Sequence, residues 1–367
     1  MRRPRPQMSI RSILKTRGEL TQNSSAKCPI VMSTRIRLAR NLAQYPFPGW
    51  AKKTQKEEVL GKCLEVVARI PKIKNPAALR IDELKELERQ ILFERHLISR
   101  ELSNEPEGSG VIISANQACS IMINEEDHLR IQVIKNGLHL KRAWNFINSV
   151  DSSIEECLDY AYSEDLGYLT ACPTNVGTGL RASAMLHLPG LVISGQMEKV
   201  VRAVNQLGIA VRGIFGEGSD ASGSFFQISN QQTLGESESE IVKRLNSVIG
   251  TIIECEEDAR EKVLEDESVK IFDKIGRAYG VLKNGHLLSS SEAMNRLSLI
   301  RLAVDFGSFP EQSRFLVDRL FIECQPGHVQ FKANKEIDTT QRDVLRASFI
   351  REALFDLPEP NFDHITR

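Results

Sequence analysis

Residues 111–137 limit the fold more than any other stretch of this chain. Residues 111–114 and 120–123 are short β-like runs with only residues 115–119 between them. Leu129, Ile131 and Val133 then alternate with Arg130 and Gln132, and Asn136-Gly137 follows as a hairpin-type turn. Parallel neighbours need a crossover of about a dozen residues or more, and this stretch has no room for one. Residues 167–171, 209–215 and 224–229 also read as strands, with few full helices separating them. The expected fold class is therefore α+β, with a mainly antiparallel sheet flanked by helices.

Helical spacing marks residues 51–70 and 79–99 before the sheet region. Ser237 and Glu240 form a capping box, and Ile241, Leu245, Val248, Ile249 and Ile252 continue it as a helical stripe. Ser289 with Glu292, and Asp338 with Gln341, are two further boxes, the last opening a helix through about Phe355. Beyond about Arg260 the pattern is helical. We therefore expect a basic, disordered tail over residues 1–29, a catalytic domain over 30–259 and a small helical domain over 260–367.

With 367 residues, the chain has length for two domains. Its 48 Lys+Arg balance 48 Asp+Glu, which argues against general affinity for nucleic acid or for an acidic membrane. The 7 cysteines form no CxxC pair, so neither a zinc site nor a disulfide framework is expected, and a reducing cytoplasm fits. No run reaches the ~18 apolar residues of a membrane span.

The polar residues then suggest a chemistry. In Ser33-Thr34-Arg35-Ile36-Arg37, strand alternation puts Arg35 and Arg37 on one face, where paired guanidiniums can grip phosphate oxygens. A solvated edge strand would look the same. Arg130 follows Glu125, Glu126 and Asp127; Arg181 follows a Gly/Thr turn; Arg212 leads into Gly213-Ile214-Phe215-Gly216-Glu217. Arginines recurring beside glycine-rich turns suit anion binding, since such turns expose backbone N–H groups. There is no GxxxxGK[ST] loop, and no protein-kinase HRD and DFG set. The acidic run is either a solvated turn or a device that orients a substrate guanidinium and accepts its proton. Cys172 precedes Pro173 at a strand end near the Gly/Thr turn, and a buried small side chain is the plainer reading of it.

Taken together, the segments STRIRLARN (33–41), NEEDHLR (124–130), LTACPTNVGTGLRASAMLHLPGL (169–191), VRGIFGEGSDASGSFFQISNQQTLGESE (211–238) and RDVLRA (342–347) resemble the phosphagen kinase family. The likeness is greatest to its bacterial branch, the protein arginine kinases. It runs from about residue 30 to the end of the chain and implies a phosphagen-kinase-like catalytic domain with a helical domain after it.

The resemblance implies roles position by position. Ser33, Thr34, Arg35, Ile36, Arg37, His96 and Arg130 fall where the family contacts ATP. So do Arg181, Ala182, Ser183, Ala184 and Met185, and Arg212, Gly213, Ile214, Phe215, Gly216 and Glu217. Glu126 resembles the catalytic carboxylate, Glu217 a second guanidinium-binding acid, and Cys172 the active-site cysteine that tunes substrate position. Arg342, Asp343, Val344, Leu345, Arg346 and Ala347 resemble a phosphoarginine pocket, although an exposed salt-bridge face would show the same spacing. Mg²⁺ is expected to bridge the ATP phosphates, as in phosphoryl transfer generally, with no protein metal ligand.

Also implied are protein substrates entering through arginine side chains, marking for Clp-type proteolysis in stress and quality control, a zinc-binding activator protein, and a homodimer or larger assembly. Phosphagen kinases acting on small molecules carry a helical domain on the order of a hundred residues ahead of the catalytic one. Here the motifs begin at Ser33 and the helical region follows, while Thr233 stands where those enzymes use an arginine. A kinase of free arginine and a non-catalytic phosphoarginine-binding adaptor are the alternatives.

Overall fold

A computed structural model describes residues 9–21, 29–213 and 222–363. The chain divides into two compact units: Met1–Leu20, Ser33–Ser183 and Ser229–Asn246 form the first, and Thr21–Met32, Ala184–Ile228 and Ser247–Arg367 the second.

The first unit is built on strands β1 (Val31–Arg40), β2 (Ala77–Arg80), β3 (Gly110–Ile113), β4 (Cys119–Ile123) and β5 (Leu129–Asn136). They lie in the order β2-β3-β4-β5-β1, and every pair in that series is antiparallel. The β1–β5 register sets Ile36 against Val133 and Leu38 against Ile131, all four fully buried. Arg37 faces Gln132, and Ala39 faces Arg130. Residues directly opposed in a sheet share a face, and so do residues two apart along a strand. Arg35, Arg37 and Arg130 therefore project from one face, while the aliphatic residues build the core on the other.

Helices α1 (Ile10–Lys15), α2 (Lys53–Val67), α3 (Glu86–Glu94), α4 (Arg100–Asn104) and α5 (Leu140–Glu155) belong to this unit. Asn136-Gly137 does not close a hairpin. It carries the chain from β5 into α5, because Leu140, Ala143, Ile147, Val150 and Ile154 form a stripe that is buried along that helix. Helical spacing over 79–99 also overreaches: Leu79 and Arg80 finish β2, and the helix starts at Glu86.

The expected disordered tail needs correction over its described part. Ile13 of α1 is fully buried in a cluster with Ile81, Leu92 and Val111. Arg95 donates to the carbonyls of Ile13, Leu14 and Thr16 at 2.7, 2.8 and 3.0 Å, satisfying the end of that short helix. Basic composition concealed one apolar turn, Ile10, Ile13 and Leu14.

Two-residue strands β6 (Tyr162–Ser163) and β7 (Gly167–Tyr168) precede β8 (Leu180–His187), which carries the chain into the second unit. There follow α6 (Pro189–Ile193), α7 (Met197–Asn205), β9 (Ile209–Gly213) and β10 (Phe225–Asn230), with β10 between β8 and β9. Helix α8 (Glu238–Asn284) is opened by the expected Ser237–Glu240 box and loses helical geometry at Glu267. Then come α9 (Ser290–Asp305), α10 (Ser313–Glu323), α11 (Pro326–Ala333) and α12 (Thr339–Ala353). Ile275, Leu282, Leu297, Val317 and Ile350 are fully buried in the core these helices share. No described helix is long and apolar enough to cross a membrane.

Candidate active site

A cavity of about 120 Å³ in the first unit is lined by Arg37, Glu126, Arg130, Cys172 and Arg181, with Gly179 closing one side. The sheet explains how residues so distant in sequence meet. Arg37 and Arg130 come from adjacent antiparallel strands, and Arg181 opens β8. Gly179 (φ 63) lets the backbone turn into β8 at close quarters; a Cβ there would sit 2.6 Å from the Ala39 carbonyl oxygen.

The arginines strain against one another. Burial, then Arg181 and Arg130, pull the Arg35 guanidinium down to about 10. Arg37 is lowered further by burial and by Arg35, Arg130 and Arg181, with only Glu125 opposing. Its Nε is buried and has no hydrogen-bond partner. Clustered guanidiniums that depress one another, one with an orphaned donor, favour a multivalent anion. The donor set therefore fits nucleotide phosphates. Among the described residues, no group of three or more His, Cys, Asp or Glu side chains could hold a metal ion.

Residues 124–130 form the acidic wall. Asn124 takes a left-handed conformation (φ 56), and its side-chain amide donates to the carbonyls of Lys56 and Gly108 at 2.8 and 2.9 Å. Arg130 then bridges two carboxylates, reaching Glu125 at 2.6 Å and Glu126 at 3.0 Å. The Glu125 side chain is 1% exposed and the Glu126 side chain 44%, so the first anchors Arg130 and the second meets the cavity. Burial raises the pKa of Glu126, against the opposing pull of Arg130. Glu126 is thus a better proton acceptor than an ordinary carboxylate.

Asp127 and His128 have other tasks. Asp127 Oδ1 accepts from Asn41 Nδ2 at 2.6 Å and from the Ala171 N–H at 2.7 Å. The His128 N–H donates to Asn41 Oδ1 at 2.9 Å. His128 Nδ1 accepts from the Leu42 N–H, so its Nε2–H donates to the Pro46 carbonyl at 3.1 Å. Burial holds that ring neutral, with its pKa down to about 4. These bonds tie the acidic turn to the end of β1 and to Ala171, next to Cys172. Sequence reasoning assigned Asn41 no role, and the carboxylate triplet Glu125, Glu126 and Asp127 could not say on its own which member faces a substrate.

Cys172 is half-buried, with its Sγ 3.0 Å from Thr174 Oγ1. His96 has a left-handed backbone (φ 58) and is kept neutral, down to about 4, by burial and by Arg35. Ser33 and Thr34 are buried; the Thr34 hydroxyl donates to Gly137 O at 2.7 Å and accepts from the His139 N–H, so it pins the turn into α5. Ile36 lies on the opposite, core face. The Ser183 hydroxyl donates to Arg35 O at 3.3 Å, and the Ala182 N–H to Asn230 Oδ1 at 2.8 Å.

Ala184, Met185, Arg212 and Gly213 belong to the second unit, where Ala184 is buried, Met185 packs on the core and Arg212 is exposed. Ile214, Phe215, Gly216 and Glu217 lie outside the described residues. On α12, Arg342 is half-buried and donates to Thr339 Oγ1 at 3.0 Å. Arg346 is buried. It donates to Cys324 O at 2.8 Å, Leu288 O at 2.7 Å and Asp343 Oδ1, which ties α12 to the residues before α9 and after α10. Val344 is exposed, Leu345 half-buried and Ala347 buried.

Comparison with known proteins gives the family and the fold. Residues 58–259 match the family model described as ATP:guanido phosphotransferase, C-terminal catalytic domain. Residues 268–365 match the model described as Protein-arginine kinase McsB C-terminal domain. The chain is 46% identical over 327 residues to a protein-arginine kinase of Brevibacillus brevis, covering 89% of this chain and 92% of that one. Against a protein-arginine kinase of Bacillus subtilis it is 44% identical, covering 89% and 90%. Among solved structures it is similar to lombricine kinase, with TM-score 0.54, 25% identity, and 69% and 71% of the two chains covered. It is also similar to the duplicated taurocyamine kinase of Schistosoma mansoni with bound transition-state-analogue components, with TM-score 0.57, 25% identity, and 65% of this chain but 35% of that one covered.

Proposed function

The chain belongs to the ATP:guanido phosphotransferase family, in its protein-arginine kinase branch, and from that premise we propose that it phosphorylates arginine side chains of proteins with ATP. It is a phosphotransferase with a phosphagen-kinase fold. The observation that carries the proposal is the shared cavity: Glu126 faces a cluster of mutually repelling arginines across a space of about 120 Å³.

In this reading Arg35, Arg37, Arg130 and Arg181 hold the phosphates of ATP, and Arg212 is assigned to the nucleotide by motif alone. The cluster concentrates positive charge where the transferring phosphoryl group develops negative charge. When bound with ATP, Mg²⁺ would supply further charge neutralisation beside these arginines. Glu126 orients the acceptor guanidinium through paired hydrogen bonds. One guanidinium nitrogen attacks the γ-phosphorus, an N–P bond forms, and the P–O bond to ADP breaks with its electron pair on the leaving oxygen. The proton of the attacking nitrogen passes to Glu126. Arg130 engages one Glu126 oxygen, Oε2, while Oε1 makes no hydrogen bond among the described residues. By motif alone Glu217, which lies outside the described residues, is the second guanidinium-binding acid, and Cys172 tunes the acceptor's seat.

We further propose that the Arg342–Ala347 segment reads phosphoarginine, with Arg342 and Asp343 at its accessible end. The same family membership supports a cytoplasmic protein that marks substrates for a Clp-type protease under stress. It also supports assembly into dimers or larger oligomers and activation by a zinc-binding partner.

The test offers free arginine and an unfolded arginine-containing protein in parallel tubes with ATP and Mg²⁺. Products are read by phosphorus NMR and mass spectrometry at neutral to basic pH. Phosphoarginine on the protein alone is the expected outcome; phosphorylated free arginine would assign the chain to small-molecule phosphagen chemistry instead.

A further inference from the structure

Thr233 occupies the position at which the small-molecule enzymes use an arginine, and the function proposed above gives it no role. It is 6% exposed. Its hydroxyl lies 2.9 Å from Thr174 O and 2.7 Å from Val176 O, placed to donate its one proton in a three-centre bond. Its own carbonyl accepts from the Thr178 N–H at 2.9 Å and the Thr178 hydroxyl at 3.2 Å. The Tyr168 N–H donates to Gly177 O at 2.8 Å from the other side.

Gly177 is the condition for this arrangement. Its φ of 108 is a backbone state that side chains rarely adopt, and a Cβ there would sit 2.3 Å from Thr233 O. The segment that follows Cys172 is therefore clamped along its length. That segment forms a wall of the cavity: Cys172, Thr174 and Asn175 line it together with Glu126.

We propose that Thr233 is a positioning residue that fixes the Cys172–Val176 wall, and through it the seat of the acceptor guanidinium. The proposal rests on the reading of the cavity as the acceptor site. Its physical content is narrow. A side-chain hydroxyl, not side-chain bulk, sets the wall, because the two carbonyls lose their shared donor when it is removed. The nucleotide arginines are not held by this clamp, so the effect should be confined to the acceptor.

The test compares Thr233→Val, which keeps the shape, with Thr233→Ser, which keeps the hydroxyl. Three readouts are taken: the KM for an arginine-containing peptide, the KM for ATP, and the rate at which iodoacetamide alkylates Cys172, followed by peptide mass spectrometry. We expect the valine variant to raise the peptide KM and the alkylation rate about tenfold, as the loss of one buried hydrogen bond implies, with the ATP KM within about twofold. The serine variant should stay within about twofold on all three.

A valine variant that matches the native chain in peptide KM and alkylation overturns the proposal. So does one whose ATP KM rises as much as its peptide KM. Should the valine variant fail to fold, a serine variant with a tenfold higher peptide KM is equally fatal. On the native chain, peptide should slow alkylation of Cys172; a peptide that leaves the rate unchanged refutes the proposal. If the native chain phosphorylates no acceptor, the protein-kinase reading falls, while the alkylation rates still decide whether Thr233 sets the wall.

Discussion

Arg130 reaches the buried carboxylate of Glu125 at 2.6 Å, an ion pair with the Glu125 side chain 1% and the Arg130 side chain 16% exposed. Breaking one side of such a pair leaves a charge without its partner in a poorly solvated site. Glu125→Gln should therefore lower stability by about 2 kcal/mol, a partly buried fraction of the full cost, and should raise the ATP KM because Arg130 is no longer aimed. Urea denaturation and initial-rate kinetics measure the two effects. Unchanged ATP KM would separate Arg130 from the nucleotide.

In the proposed mechanism Glu126→Gln removes the proton acceptor but keeps the shape. The turnover number should fall by about 10²–10⁴-fold, the usual contribution of general acid–base catalysis, while ATP binding stays within about twofold. Binding is measured with a fluorescent nucleotide. Burial raises the Glu126 pKa above the 4.5 of an ordinary glutamate, so the acidic limb of kcat/KM should also lie above that value. A limb at or below it would mean that another group takes the proton.

Acid should loosen the first unit through His128. Its pKa falls from 6.5 to about 4 on folding, so its contribution is complete above 6.5 and is lost as pH drops toward 4. The loss is at most about 1.4 kcal/mol per pH unit for one group. Glu126 and Asp127 are raised by burial and act in the opposite sense. Comparison with His128→Asn isolates the histidine: over pH 6.5 to 4, the melting temperature of the native chain should fall more steeply than that of the variant. Parallel curves would show that His128 does not titrate this way.

Arg342 and Arg346 should separate when each is changed to alanine. Arg342→Ala should weaken phosphoarginine binding with little change in melting temperature, since its partners are local to α12. Arg346→Ala removes a buried guanidinium from two carbonyls and a carboxylate, and should cost about 2–4 kcal/mol of stability. Calorimetric titration with phosphoarginine and thermal melts provide both readings. Equal destabilisation by the two variants would make the segment a structural brace only.

The antiparallel strands were legible because alternation and short separators leave little choice. Arg35 and Arg37 were legible as a same-face pair for the same reason. The turn at Asn136-Gly137 was misread, because hairpin chemistry looks alike whether a strand or a helix follows; the stripe from Leu140 to Ile154 decides it. Helix α1 was missed because its neighbours are basic and its apolar turn is short. Glu125, Glu126 and Asp127 are near-equivalent on paper. They become an anchor, a cavity acid and a tie only when Arg130, Asn41 and Ala171 arrive from elsewhere in the chain. Arg346 reads as a surface partner of Arg342, yet the packing around α12 turns it inward.

The contact between Gly177 and Thr233 also bears on how this pocket can be redesigned. A library randomised at 177 should return glycine almost alone, since any larger residue collides with the Thr233 backbone whatever stands at 233. Selection for a new acceptor therefore cannot proceed by moving this loop in small steps. It must act through side chains that already face the cavity, such as those at 174 and 175, or replace both loop segments together.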